Sequence, residues 1–246
     1  MSLSNLSGSS HRTFDLVEAG VYAARFAVIC DQGEQVLDWQ GEKSVKDRAY
    51  WNFELILKAE IVNQKVEVEP CRMHESGERP LSIGEKWTVT DHEKSNIVDR
   101  LKQLSGGKAI QPTGFDFQVL MGKPCKLTIT NAPGTVDPTK VWPSIEKLEP
   151  YDPEYFGGAC PPATNKPIFF DWTAPGANEA YQQLPDWLQP IATPSPASLI
   201  EAVRRERLGG GSGGIDINTE LAKAAEAVRS PTVSTPLQDL DDDIPF

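Results

Sequence analysis

Two stretches of this chain hold the residue types from which binding chemistry is made. The first is Trp39 to Tyr50, where Trp39, Lys43, Lys46, Arg48 and Tyr50 fall within twelve residues. Cationic side chains hold phosphates, and flat aromatic faces stack on unpaired bases at about 1–3 kcal/mol each. Arg25, on the small-residue face of a first strand, is placed to lie beneath this cluster, and Lys123, Lys126, Lys140 and Trp142 supply a second wall. Together they describe a groove for a single strand. The second stretch is Leu237 to Phe246, in which Asp239, Asp241, Asp242 and Asp243 precede an apolar Ile244, Pro245 and Phe246. Such a peptide stays solvated yet carries an apolar anchor and negative charge, and is built to be grasped.

Each residue also has a plainer reading. Trp51 and Phe53 share the apolar face of a strand and belong to a core, as does Trp87 beside Lys86. Trp142 reads equally as core or stacking surface because the alternation around it is ambiguous. Trp39, between Asp38 and Gln40, reads as exposed. A single lysine is ordinary surface, and only the cluster argues for phosphate.

Catalysis finds little support. The densest acidic run, Asp241 to Asp243, lies on a terminus that cannot preorganise a metal. Three histidines form no triad pattern, and no phosphate loop or zinc-protease motif occurs. Cys71 and His74 have the spacing of half a zinc site, but further ligands would have to come from distant residues such as His92 or Cys125. No metal and no cofactor are expected, and the four cysteines read as free thiols.

The 246 residues carry 24 Lys and Arg against 35 Asp and Glu, a net charge of −11. Residues 1–150 account for −3 and residues 151–246 for −8, so the acidity is in the second half. Global charge would repel a polyanion, and cations must therefore be gathered locally. The polar, Ser-rich start has no apolar signal segment, and no stretch approaches a membrane span. The expectation is a soluble protein of the cytoplasm that makes no contact with a membrane.

Around the binding residues the pattern is mostly that of strands. Gly20 to Cys30 alternates, with Tyr22, Phe26 and Val28 on one face and Ala23, Arg25 and Ala27 on the other. A polar hairpin region, Asp31 to Arg48, leads to a strand from Ala49 to Lys58 and a weaker one from Ile61 to Val68, bounded by Pro70. The stretch to Lys86 is hard to read. Thr90 to Glu93 has the capping-box pattern before Ile97, Leu101 and Leu104, and Gly106-Gly107 stops that helix. Strands follow at Pro124 to Asn131 and Lys140 to Leu148. This order predicts a mainly β protein of the oligonucleotide-binding (OB) type, a five-stranded Greek-key barrel with one helix between strands 3 and 4.

Beyond Pro150 the character changes, and 12 of the 20 prolines lie in residues 151–246. The apolar Ile168 to Trp172 and Leu184 to Leu188 predict an extension that packs on the barrel or on a partner. The expected organisation is a flexible start (1–15), the OB domain (16–150), this extension (151–190), a disordered linker with short helical turns such as Ser198 to Leu208 (191–236), and the acidic tip (237–246).

The last six residues, Asp-Asp-Asp-Ile-Pro-Phe, resemble the C-terminal tip of bacterial single-stranded DNA-binding proteins, a docking peptide for replication and repair enzymes. Val21 to Gln35, Tyr50 to Leu55, His92 to Asn96 and Leu120 to Cys125 are similar to a bacteriophage-encoded group of such proteins, over about residues 16–190. The resemblance implies a protein that coats single-stranded DNA without sequence preference in the bacterial host cytoplasm. It also implies recruitment of replication, recombination and repair proteins through the tip. The chain departs from the ordinary bacterial protein in its length and its long connection to the tip, which leaves a homo-oligomer open. The alternatives are an interaction protein that uses the tip to compete for or recruit host enzymes, and an acidic DNA mimic.

Overall fold

The computed structural model describes residues 17–39, 41–71, 80–133 and 141–207. The expected flexible start, most of the linker, the whole acidic tip and Lys140 lie outside the described residues. The fold is a mainly antiparallel β structure with few helices, organised on one hairpin. Its strands are β1 (Gly20–Trp39) and β2 (Glu42–Val62), paired from Val21 opposite Ala59 to Trp39 opposite Glu42. Both strands run straight through the segment expected as a polar loop, so residues 31–48 form a two-stranded arm. Gly41, with φ +85°, makes the turn at its tip.

The other strands attach to this spine. β3 (Lys65–Pro70) and β4 (Ser82–Thr88) pair with successive parts of β2, β5 (Pro124–Pro133) pairs with the start of β1 and with β6 (Val141–Pro150), and the short β7 (Ile168–Phe170) runs parallel to β1 at Val28 to Cys30. The strand predicted from Ile61 to Val68 is in fact the end of β2, a two-residue turn at Asn63 and Gln64 (φ 52° and 65°), and β3. Positive φ at both turn residues matches the twist of a tight hairpin. The helix α1 (Asn96–Leu104) therefore follows four strands rather than three. It starts later than the Thr90 box, because Ser95 is the cap and accepts from the Val98 amide. Its end is as expected, with Gly106 and Gly107 both at positive φ.

No ladder joins β4 to β6 among the described residues. Side chains cross that seam instead. Glu85 of β4 accepts from the Ile145 amide at 2.7 Å, Arg100 of α1 donates to the carbonyls of Ile145 and Glu146, and Gln103 accepts from the Leu148 amide at 2.9 Å. Burial pushes the Glu85 carboxyl up, opposed by the amide it accepts from and by Arg100. Beneath the sheet, Tyr22, Phe26, Trp51, Phe53, Trp87, Leu127 and Ile145 pack with Ile97, Val98 and Leu101 of α1 into the main core.

Register shifts in β1 between Ala23 and Ala24 and between Phe26 and Val28 change which residues face that core. Phe26 and Ile29 point inward, while Ala27, Val28 and Cys30 point to the other side, so the predicted shared face of Phe26 and Val28 does not hold. An extra residue in one strand inverts the alternation beyond it.

That outer side is also buried. Ala27, Val28, Cys30 and Tyr50 pack against Phe170, Leu184, Leu188 and Ala192, and Ala23 and Ala59 pack against Phe156. The extension after Pro150 thus folds back on the sheet, through β7, α2 (Ala177–Gln182) and α3 (Gln189–Ala192). Order continues past the expected linker start at 191. The Ser195 amide donates to the Glu34 carbonyl at the free edge of β1, and α4 (Ala197–Arg207) buries Leu199, Ile200, Ala202 and Val203 while lying against β1 and β2. No described helix is long and apolar enough to cross a membrane.

Two opposed charges fasten the extension. Arg25 and Glu54 sit opposite each other across β1 and β2. Arg25 donates to the carbonyls of Gly122, Cys160 and Pro161, each at 2.7 Å. Glu54, 1% exposed, accepts from the amides of Thr164 and Asn165 and from the Asn165 side chain. Replacing Glu54 by Ala leaves those donors without their acceptor, and the expected cost is about 1–3 kcal/mol. Thermal denaturation should show the loss, and limited proteolysis should cut first within residues 160–170; an unchanged melt with an unchanged digest would contradict this role for Glu54.

Candidate nucleic-acid interface

Strand pairing decides how the arm presents its side chains. Neighbours opposite each other share a face, and alternation places Trp39, Lys46 and Arg48 on one face of the arm, with Lys43 on the other, opposite Asp38. Trp39 is 69% exposed at the tip, as its polar neighbours predict. Lys46 is exposed as well, opposite Gln35. Arg48 is half-buried. Its Nε has no hydrogen-bond partner, and burial lowers the pKa of its guanidinium.

Tyr50 takes a different place from the one proposed for it. Its ring is buried in the outer cluster beneath Phe170 and Leu188, and its hydroxyl accepts from the Asn52 side chain at 3.2 Å. Gly84 on β4 makes room for that ring: a Cβ there would lie 2.1 Å from the Tyr50 hydroxyl. No open face is left for a base. Arg25, expected beneath the cluster, has three of its donors committed to the extension's carbonyls and the 120s turn.

The second wall is divided. Lys126 is held by Glu149 at 3.2 Å and lies over the Tyr155 ring at 5.5 Å from its centroid. Lys123 is exposed in the turn before β5. Trp142, 54% exposed, stands opposite Ala132, three residues beyond Ile129, the partner of Gly20. Trp39 is at the far end of the same strand β1. The register therefore sets the two exposed tryptophans at opposite ends of the spine, and the structure does not gather the predicted residues into one groove.

The arm gains cations that the sequence reading assigned to a linker. In the last turn of α4, Arg204 pairs with Glu34 and Arg207 with Glu42 at 2.9 Å. Glu42 is the cross-strand neighbour of Trp39, so α4 ends beside the arm's tip. The signal was the apolar spacing of Leu199, Ile200 and Val203, too short to distinguish a docked helix from a transient one. Arg205, on the same turn, is exposed. What the arrangement offers chemically is an exposed indole at the tip of a β-ribbon on which Lys43, Lys46 and Arg48 are interleaved with Glu34, Asp38, Glu42 and Asp47.

The thiols are placed as structural groups. Cys30 and Cys125 are fully buried, and burial pushes Cys30 and Cys71 up to about 12 and Cys125 higher still. His74 lies outside the described residues, and among the described ones no three His, Cys, Asp or Glu side chains converge as a metal site.

No protein-family model, no curated protein and no solved structure matches this chain.

Proposed function

We propose that the chain is a sequence-independent single-stranded DNA-binding protein of the OB type, whose acidic tip recruits replication, recombination and repair proteins in a bacterial host cytoplasm. The observation that carries the reading is Trp39, a large indole 69% exposed on the tip of a ribbon that also bears Lys43 and Lys46, with the exposed Arg205 of α4 beside it. Connectivity supports the fold. If β3 and β7 are taken as additions, β1, β2, β4, β5 and β6 pair in the order of a Greek-key barrel with its helix before the fourth of these strands, and the Glu85 seam stands where the closing ladder would be.

A second reading keeps the tip and drops the DNA. It draws on the covered outer face, where the extension occupies the sheet around Tyr50 and Glu54 and leaves less β surface for a strand. Titration with oligo-dT and with a duplex of equal length separates the two. Single-strand preference with a negative salt slope supports the DNA reading, and no binding to either leaves the interaction protein.

Trp39→Ala is expected to weaken oligo-dT binding by one stack, about 1–3 kcal/mol, with the salt slope unchanged. Lys46→Ala is expected to lower the slope by about one, and adding Lys43→Ala to flatten it further. Fluorescence anisotropy at several salt concentrations reads both, with circular dichroism as the check on folding. An unchanged affinity in Trp39→Ala would remove the arm from the interface.

Deletion of Leu237 to Phe246 is expected to leave the melting temperature and oligo-dT binding in high salt unchanged while abolishing capture of replication enzymes. Phe246→Ala alone should remove most of that capture, because a buried aromatic anchor dominates such contacts. A pull-down in which the truncated protein keeps the same partners would show the tip to be dispensable.

A further inference from the structure

β3 is an edge of the sheet. Its ladder to β2 fixes which of its backbone groups are spoken for. The two-residue turn makes Val62 and Lys65 a mutually bonded pair, and the Cys71 amide donates to the Ile56 carbonyl in the same phase further along. Glu67 and Glu69 are therefore bonded to β2, and Val66 and Val68 turn their N–H and C=O outward. Among the described residues nothing pairs with that side.

We propose that this edge pairs with the same edge of a second copy of the chain, antiparallel about a two-fold axis through Glu67. In this register Val66 stands opposite the partner's Val68 and Val68 opposite the partner's Val66, which makes four backbone hydrogen bonds from the outward groups alone. Lys65 stands opposite the partner's Glu69 twice, so the charge pattern complements itself. Pro70, which has no N–H to give, falls opposite the turn residue Gln64, where no ladder bond is needed. A shift of two residues in one direction puts Pro70 against Val66, and in the other puts Val68 against the turn. The first shift loses the bond that Pro70 cannot give on each side and sets Glu67 against the partner's Glu69 twice, and the second halves the bonds.

The side chains favour the same arrangement. Val66 and Val68 lie on the face shared with Ile61 and Ala59, their cross-strand neighbours. Ala59 and Val68 belong to the cluster around Phe156, whereas Ile61 is 74% and Val66 41% exposed. Pairing two edges joins these exposed residues across the axis into an apolar strip continuous with each copy's own cluster. The one opposing element is Glu67, which meets the partner's Glu67 at the axis. Exposed charged and proline-bearing edges repel most strands, and here the pattern admits its own copy. The proposal is independent of whether the protein binds DNA.

The test is sedimentation velocity on the full chain over a range of concentrations, without DNA. The wild type is expected to show a monomer–dimer equilibrium. Val66→Pro deletes an outward donor and no bond to β2, and proline is tolerated on such an edge, so it should give a monomer with unchanged circular dichroism. Lys65→Glu should also give a monomer, Lys65→Glu with Glu69→Lys should restore the dimer, and Glu67→Gln should tighten it. The charge variants decide the matter if Val66→Pro disturbs the fold. A wild type that is monomeric at every concentration, or a dimer that survives Lys65→Glu, overturns the proposal.

Discussion

The facing pair Arg25 and Glu54 is the constraint on which the rest of this structure depends. Each lies on the outer side of the β1–β2 spine, and a charge placed there under protein is costly unless its hydrogen bonds are met. The extension meets them with its own backbone. The guanidinium takes the carbonyls of Cys160 and Pro161, and four residues on the carboxylate takes the amides of Thr164 and Asn165. One short loop thus serves both signs of charge, which fixes its direction as well as its position. From there the chain is delivered to β7, whose pairing with Val28 to Cys30 seats Phe170 over the outer cluster.

Sealing that side has consequences for the surface. Asp31 accepts from the Gly33 and Trp172 amides and Gln32 donates to the Ile191 carbonyl, so the cover is stitched along β1 as far as the root of the arm. Beyond that root, α4 braces the ribbon through Glu34 and Glu42. Among the described residues the large exposed apolar side chains are then few, and they sit at ends and edges: Trp39 on the arm, Ile61 and Val66 on the β2–β3 hairpin, Val141 and Trp142 on the β5–β6 hairpin, with Val119 on the 3-10 turn before β5. A protein that hides its sheet on both sides presents apolar surface mainly at its extremities.

Much of this was legible in the residues taken one strand at a time. Alternation identified Trp51 and Phe53 as core, the glycine pair ended α1 at its proper place, and the polar neighbours of Trp39 marked it as exposed. What was not legible depended on distant partners or on small irregularities. Val28 changes face because of a bulge that no composition announces, and β4 shows only Ile83 and Trp87 inward, with Gly84 explained by a tyrosine more than thirty residues earlier. Tyr50 and Arg25 looked like ligand groups because the segments that occupy them, near residues 160 and 170, lie over a hundred positions away. The divided second wall has the same origin: residue types can suggest a groove, but only register says which ends of a strand they occupy.

The seam between β4 and β6 sets where this shell yields. Elsewhere around the spine, separation means breaking a row of backbone bonds that support one another, and opening is cooperative. Along the seam three side chains, Glu85, Arg100 and Gln103, hold the amides and carbonyls of Ile145 to Leu148. Side chains can release and re-form by rotation about single bonds while both strands stay intact. The seam is therefore the line along which the shell can part, with the β1–β5 ladder as the attachment that remains and the burial of Ile145 and Leu148 in the main core as the resistance to opening. Amide hydrogens on β6 should exchange through that limited opening well before those shared by β1 and β2 exchange through global unfolding.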